Sequence, residues 1–308
     1  MALRGSKTIK TIKMNKIITC IRGGIGNQLF CYAAARRLAL VNNAELVIDD
    51  VTSFIREYKY RRKYMLNKFH ISARKAMLNE RMEPFAKYRR GLAKFVARRQ
   101  PFYLRRYLEE EGLDFDYRLL DFKIRGVVYL DGYWQSEGYF KDIEQIIRED
   151  LRIIPPEDEI NQHMAEQIRQ RNSVALHVRW FDAPGTEIVS HNASAIYYRC
   201  AVVEIERSVN NPHFFVFSDD SVSARSFLKL SEDQVTYVEH NCDDENAYAD
   251  LWLMAQCKHF IIANSTFSWW GAWLGREEKK IVVAPNMKID GKASWGFKGL
   301  IPREWIRI

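Results

Sequence analysis

Three hydroxyl side chains, Ser265, Thr266 and Ser268, stand between two apolar stretches near the C-terminal end of the chain. The stretch before them, residues 260–263, is typical of a buried strand, and the stretch after them carries three tryptophans at helical spacing. The first N–H groups of a helix lack internal partners and carry the positive end of its dipole, so this order favours a site for an anion. The alternative is that Ser265 or Thr266 only caps the helix, and the stretch alone leaves both interpretations open.

A glycine turn follows the first predicted strand, residues 16–21. Gly24 and Gly26 belong to this turn, and Asn27 and Gln28 then enter a predicted helix. Glycine allows a backbone to approach a bound ligand closely, which favours a binding loop. A tight connection between a strand and a helix has the same composition and remains an alternative.

Charged side chains stand at the ends of two further predicted strands, residues 173–178 and 214–217. His177, Arg179 and Asp182 belong to the first strand end, and Asp219 and Asp220 follow the second. The planar fork of an arginine bonds two oxygens of a diphosphate at once, whereas a single histidine is more often a satisfied core residue. The two aspartates could hold a ribose or cap the next helix. Because ligands of parallel sheets bind beyond the carboxyl ends of the strands, these positions predict a phosphorylated or nucleotide ligand.

The elements that must position these side chains alternate along the chain. Strands separated by helices predict an α/β fold with doubly wound parallel sheets, and Pro155-Pro156 is the best boundary between two of them. We therefore expect an N-terminal domain over residues 14–154, a C-terminal domain over 155–308, and a cleft between them. Residues 1–13 are basic and have no apolar core of a signal peptide, so we interpret them as an extension before a start at Met14.

Composition excludes several classes of protein. The chain has 308 residues, of which 47% are hydrophobic, so it can bury a core and is not disordered. No apolar run reaches the roughly 20 residues that a membrane-spanning helix needs. The five cysteines show no CxxC spacing, which favours a reducing cytoplasm and gives no zinc site.

The net charge of +8 comes from one segment. Residues 56–106 contain 17 Lys and Arg against three Glu, which gives +14 and leaves −6 for the remainder. We expect this basic insert, about residues 56–110, to be mostly helical. Aromatic residues recur among the cations, so an anionic membrane surface and a solvated helical face both remain open; no nucleic-acid motif accompanies them.

Five blocks of sequence resemble the α-1,2-fucosyltransferase family. They are IRGGIGNQLFCYAAARRLA, GYWQSEGYF, HVR, FFVFSDD and DLWLMAQCKHFIIANSTFSWWGAWL, in the order and approximate spacing of that family. The resemblance implies two facing Rossmann-like domains of the GT-B type, with GDP-fucose bound mainly by the C-terminal domain. It also implies an inverting transfer of fucose to the 2-hydroxyl of a galactoside acceptor, with no cofactor and no metal.

The resemblance also implies roles for individual residues. It places Arg179 at the β-phosphate, His177 near the guanine, Asp250 at the guanine edge and Asn27 near the reacting centre. Ser265, Thr266 and Ser268 form a second phosphate clamp in this scheme. The remaining donor-side positions are Gly24, Gly26, Gln28, Asp219, Asp220 and Asn264.

The chain departs from the family pattern His-X-Arg-Arg-Gly-Asp beside Arg179. Trp180 and Phe181 replace the second arginine and the glycine, so two bulky aromatics could narrow the acceptor pocket or stack on a sugar. An inverting transfer needs a base for the acceptor hydroxyl. Asp182 is retained and is the favoured candidate, and Glu187 is the second.

Three alternatives follow from the sequence. Asp114-Phe115-Asp116 has the form that other glycosyltransferases use to hold manganese, although no predicted strand positions it. The enzyme could use another GDP-sugar or form a different linkage. A protein of a different class would use the basic insert to bind RNA or a membrane surface without catalysis.

Overall fold

Two parallel β-sheets organise the chain in a computed structural model, which describes residues 15–55, 57–58, 60–83, 87–181, 191–289 and 292–308. The predicted extension, residues 1–13, lies outside the described residues, as do both candidate bases, Asp182 and Glu187. None of the helices in these ranges is long and apolar enough to cross a membrane.

The first sheet has five strands in the order β3-β2-β1-β5-β4, and all neighbouring pairs are parallel. Its central strand is apolar and almost fully buried, as expected for a parallel strand covered on both faces. The strands are β1 (Lys16–Cys20), β2 (Glu45–Asp49), β3 (Arg74–Lys75), β4 (Tyr107–Glu109) and β5 (Val127–Asp131).

The second sheet has six parallel strands in the order β13-β10-β9-β6-β7-β8. A separate antiparallel hairpin, β11–β12, precedes its last strand. The strands are β6 (Asn172–Val178), β7 (Pro212–Ser218), β8 (Val235–Val238), β9 (His259–Ile261), β10 (Val282–Ala284), β11 (Met287–Ile289), β12 (Lys292–Trp295) and β13 (Ile306–Arg307). Two parallel α/β domains in one chain confirm the predicted fold class, whereas the boundary at residue 155 stays a prediction.

One apolar core joins the two sheets through a pair of helices. Phe30 of the first helix packs against Trp269 and Trp270 of the last, with ring centroids 4.5 and 4.9 Å apart. The helices are α1 (Ile25–Val41), α2 (Lys87–Arg98), α3 (Glu144–Asp150), α4 (Glu159–Gln170), α5 (Ala195–Ser208), α6 (Ser221–Leu228), α7 (Ala247–Gln256) and α8 (Thr266–Leu274).

The basic insert is not mostly helical, contrary to the prediction. Its only α-helix in the described part of the chain is α2, and it also supplies the two edge strands β3 and β4. Carboxylates neutralise part of its charge: Arg74 is paired with Glu80, and Arg90 with the buried Asp131, at 2.7 and 2.8 Å. Strand pairing and ion pairs, and not helices alone, therefore fix the conformation of this segment.

Candidate functional site

The order in which strands are added reverses at the centre of each sheet. From β1 it continues to β2 on one side while β5 lies on the other, and β6 lies between β7 and β9 in the same way. Such a switch point opens a crevice beyond the carboxyl ends of the strands. Loops from both crevices line one cavity of about 840 Å³, so the two sheets present their switch points to a common space.

The N-termini of α1 and α8 meet at this cavity. A methyl group added to Gly26 would lie 2.5 Å from the carbonyl carbon and oxygen of Thr266, so only glycine allows the two helices to approach this closely. Neither helix has an acidic residue in its first turn, which leaves the positive ends of both dipoles without a carboxylate there. Gly24 and Ser265, the two N-cap residues, also line the cavity.

Asn27 links the two halves of the site. Its Oδ1 accepts hydrogen bonds from Thr266 Oγ1 at 2.9 Å and from Gln135 Nε2 at 2.8 Å. All three residues line the cavity. Asn27 and Thr266, which belong to the predicted N-terminal and C-terminal domains, are thus in direct contact across the cleft.

Arg179 stands at the wall of the cavity and is held by Asp219. The Arg179 guanidinium pairs with Asp219 Oδ2 at 2.9 Å, and Asp219 Oδ1 accepts the backbone N–H of Trp180 at 3.1 Å. Both charged side chains are about one-third exposed, at 33% and 34%, so a diphosphate can compete for the guanidinium.

His177 lies beside Arg179 and is buried in the wall. Burial, and secondarily the charge of Arg179, lowers the pKa of His177 to about 3, so the ring is neutral at physiological pH. Its Nδ1 lies 2.9 Å from Ser268 Oγ, and Ser268 is fully buried. The structure thus corrects the expectation that Ser268 clamps a phosphate: it supports His177 from beneath the cavity.

Two more predicted donor-binding residues are structural. Gln28 is buried and bonds the loop of the basic insert, donating to Lys63 O at 2.8 Å and accepting from Met65 N at 2.9 Å. Asp220 caps α6 by accepting from Ser223 N at 3.0 Å. Neither residue lines the cavity, and the polar atoms of both take part in these bonds.

Asp250 is a half-buried carboxylate in the first turn of α7 and lines the cavity. Burial raises its pKa to about 7, although a hydrogen bond from Asn241 Nδ2 at 2.8 Å opposes the shift. Asn264 also lines the cavity; its amide donates to His191 O at 2.7 Å, and its Oδ1 is buried without a partner in the described part of the chain. Asp250 therefore offers an acceptor at the cavity, whereas the Asn264 oxygen is shielded from solvent.

Sequence reasoning missed Arg62, a second cation at the cavity. Its Nη1 donates to both carboxylate oxygens of Asp244 at 3.0 Å, which joins the basic insert to the C-terminal domain. A methyl group added to Gly24 would lie 4.0 Å from its guanidinium carbon. No sequence signal separated Arg62 from the other cations of the insert, because the loop that carries it is placed by long-range bonds to Gln28.

The two aromatics beside Arg179 have different positions. Trp180 turns away from the cavity and packs edge-on against Phe227, with ring centroids 5.2 Å apart. Phe181 lines the cavity, is 51% exposed and lies 5.6 Å from the Arg179 guanidinium. Of these two aromatics, Phe181 is therefore the one that a sugar in this cavity can contact.

The Asp114-Phe115-Asp116 motif is used for structure. Asp114 Oδ1 accepts from Lys298 N at 3.0 Å, and Asp116 pairs with Arg118 at 2.6 Å. Among the residues that the structure describes, no group of three or more His, Cys, Asp or Glu side chains is arranged to hold a metal ion.

Comparison with known proteins places the chain among glycosyltransferases. The model of Glycosyl transferase family 11 matches residues 16–308. The chain is 29% identical over 305 residues to the alpha-1,2-colitosyltransferase of Escherichia coli, covering 96% of this chain and 99% of the relative. It is 30% identical over 299 residues to the O-antigen biosynthesis glycosyltransferase WbnK of Escherichia coli, covering 89% and 95%.

Solved structures share the fold at low sequence identity. The NodZ alpha-1,6-fucosyltransferase co-crystallised with GDP superposes with a TM-score of 0.51 at 15% identity, covering 84% of this chain and 92% of NodZ. A mutant of Arabidopsis thaliana FUT1 in complex with GDP gives 0.52 at 14% identity, covering 91% and 72%. These structures show the fold, and the match of the family model over almost the whole sequence establishes that the chain belongs to glycosyltransferase family 11.

Proposed function

We propose that the protein transfers L-fucose from GDP-fucose to the 2-hydroxyl of a galactoside with inversion. One observation carries this proposal: a single interdomain cavity combines a cationic wall, two helix N-termini and a half-buried carboxylate. The first two features suit the diphosphate of the donor, and the third suits its guanine. NodZ and FUT1 share the fold and were solved with GDP, which supports the same class of donor.

Arg179 has the central role in this reaction. In an inverting displacement the acceptor oxygen attacks the anomeric carbon, the bond to the diphosphate breaks, and its electron pair passes to a β-phosphate oxygen. Arg179 is proposed to stabilise the charge that develops there, together with the N–H groups of Ser265 and Thr266 at the start of α8, because all three residues line the cavity. Removing one such contact typically costs about 3–4 kcal/mol of barrier, or roughly 100- to 1,000-fold in rate.

The acceptor hydroxyl must lose its proton to a base in the same step. Asp182 remains our first candidate and Glu187 the second. Asn27, held between Gln135 and Thr266, is proposed to orient the reacting groups. Of Asp182→Asn and Glu187→Gln, the variant that removes the true base should abolish transfer while it still binds GDP. Full turnover in both variants would overturn the assignment of the base.

Arg62 is proposed to supply the cation that position 180 lacks. Trp180 stands where the family pattern has a second arginine, and Arg62 reaches the cavity from the other domain. Its partner Asp244 is 60% exposed, so the pair can open when a diphosphate offers a stronger anion. Arg62 then closes the cleft over the donor by exchanging Asp244 for phosphate oxygens.

Asp250 is proposed to recognise guanine. A carboxylate accepts hydrogen bonds from the ring N–H and the exocyclic amine of guanine together, which no other common base offers. Asn241 holds the Asp250 carboxylate and is itself bonded by Asn161 at 2.9 Å, so the acceptor is fixed in place before a ligand binds.

A second donor, GDP-colitose, is favoured by one observation. The chain is 29% identical to an alpha-1,2-colitosyltransferase over nearly its whole length. Colitose is fucose without the 3-hydroxyl, and the exposed ring of Phe181 offers an apolar surface to such a deoxygenated carbon. The two donors share the diphosphate and guanine contacts and differ only at this sugar surface.

The test is a donor and acceptor screen with determination of the product linkage. The purified protein is incubated with GDP-fucose, GDP-colitose or GDP-mannose and a panel of β-galactosides, with and without excess chelator. We expect an α-linked product on the galactose 2-hydroxyl that does not depend on added metal. Transfer to another hydroxyl would contradict the linkage, and no transfer from any GDP-sugar would favour a non-catalytic protein.

A further inference from the structure

Helix α2 directs three of its cationic side chains toward carboxylates of the first sheet. Arg90 donates to Asp131 at 2.8 Å, and Lys94 and Arg98 both donate to Glu109. These three cations recur at intervals of four residues, so they form one face of the helix. This face is neutralised by the carboxylates of β4 and β5.

The opposite face of α2 is apolar and exposed. Tyr88, Leu92, Phe95 and Val96 are 91%, 63%, 54% and 43% exposed, and their spacing places them on one side of the helix. Tyr103, just beyond the helix, is 53% exposed as well. This is the reverse of an ordinary surface helix, which buries its apolar side. A contiguous exposed face of this kind marks an interaction site.

Cations surround this apolar face. Arg89, Arg99 and Arg106 are exposed, and within the described part of the chain none of them has a carboxylate at ion-pair distance. The Arg99 guanidinium lies over the ring of Phe95, 3.3 Å from its centroid, so charge and apolar surface are presented together. The arrangement combines a shallow apolar layer with a rim of positive charge.

We propose that the outer face of α2 docks on an anionic lipid bilayer. Interfacial helices bury aromatic and aliphatic side chains at the headgroup boundary while Lys and Arg attract anionic lipids. The aliphatic Leu92 and Val96 have no stacking partner in a nucleic acid, which favours a membrane over RNA. Arg89, Arg99 and Arg106 leave positive charge beside this face that no carboxylate of the described residues pairs, so an anionic surface attracts it.

Sedimentation with lipid vesicles tests the proposal. We expect the full-length protein to bind phosphatidylcholine vesicles that contain phosphatidylglycerol, to bind pure phosphatidylcholine weakly, and to release at high salt. Leu92→Ser with Phe95→Ser should lower the affinity at least about tenfold, because two side chains no longer enter the bilayer. Arg89→Glu with Arg99→Glu should lower it at least about 25-fold, at about fivefold for each cation lost, because the two new carboxylates are repelled as well.

Matched controls make the same kinds of substitution on other helices, so they test whether the effect depends on the position of the substituted residues. Ile160→Ser with Ile196→Ser removes two apolar side chains of similar exposure, 61% and 65%, from α4 and α5. Arg169→Glu with Arg207→Glu makes the same change of net charge on those helices. Both control pairs should bind vesicles as the wild type does. All four double variants should keep their thermal unfolding midpoint and their turnover of a soluble acceptor.

Four outcomes would overturn the proposal. The wild type would fail to bind anionic vesicles, or Leu92→Ser with Phe95→Ser would bind them as well as the wild type does. In the third outcome, light scattering would show a dimeric wild type and a monomeric double variant, and neither would bind vesicles. The face would then be a contact between two copies of the chain. RNA binding that is lost with Arg89→Glu and Arg99→Glu, with no vesicle binding, would equally contradict a lipid partner.

Discussion

The affinity for GDP should depend on the protonation of Asp250. Burial raises the pKa of this carboxyl to about 7 in the free protein, so near neutral pH half of the molecules carry it in the neutral form. Guanine donates two hydrogen bonds to the proposed site, and only the ionised carboxylate accepts both. Binding therefore favours deprotonation, and the affinity contributed by Asp250 is present above pH 7 and lost as the pH falls below it.

The size of the effect follows from the pKa. With a free pKa of about 7 the ionised fraction falls from about nine-tenths at pH 8 to about one-tenth at pH 6. The dissociation constant of GDP should therefore rise about tenfold across this interval. Near pH 7, binding should release about half a proton for each GDP bound, a quantity that depends on the same fraction.

Titration calorimetry in buffers of different ionisation enthalpy measures both quantities. Asp250→Asn is the control, because it removes the titration and keeps the size of the side chain. At pH 8 it should weaken GDP binding by about 1.5–3 kcal/mol, the contribution of a hydrogen bond to a charged group. The pH dependence of GDP affinity that remains in this variant reports only the ionisation of the terminal phosphate of GDP. Equal slopes in the wild type and in the variant, or unchanged affinity in the variant, would refute the guanine contact.

Three further changes test the geometry of the cleft. Gly26→Ala should destabilise the fold by about 1–3 kcal/mol and abolish transfer, because the added methyl group meets the backbone of Thr266. Gly91→Ala is the control: its methyl group would have nothing within 4 Å, so the thermal unfolding midpoint should stay equal or rise. Arg62→Ala should reduce kcat/KM for the donor about tenfold or more, with Arg62→Lys recovering part of it, and an unchanged value would exclude Arg62 from donor binding. Phe181→Ala should change the preference between GDP-fucose and GDP-colitose with little effect on GDP affinity, and a lower GDP affinity would place the ring at the nucleotide instead.

The sheets were largely predictable because their strands are continuous apolar runs. β6 and β7 begin within two residues of their predicted starts, since a parallel strand covered on both faces needs apolar residues throughout. β3 and β4 were missed because they contain two and three residues and carry charges. Their pairing with β2 and β5, and not their own composition, makes them strands.

The site was predictable only at the level of strand ends. The rule that ligands bind at the carboxyl edge of a parallel sheet located Arg179, Asp219 and Thr266, which do meet at one cavity. It does not tell whether a side chain near that edge faces the cavity, so Gln28 and Ser268 were assigned to the donor although both are buried in hydrogen bonds. Such orientation depends on neighbours distant in sequence.

The most direct test of the proposed function is the response of GDP binding and transfer to Arg179→Ala. If Arg179 holds the diphosphate between the two domains, the variant should lose about 100- to 1,000-fold in kcat/KM with GDP-fucose and bind GDP measurably more weakly. Its thermal midpoint should stay within the range of a surface substitution, because the pair with Asp219 is partly exposed. No heat of GDP binding to the wild type, or unchanged turnover in the variant, would contradict the account.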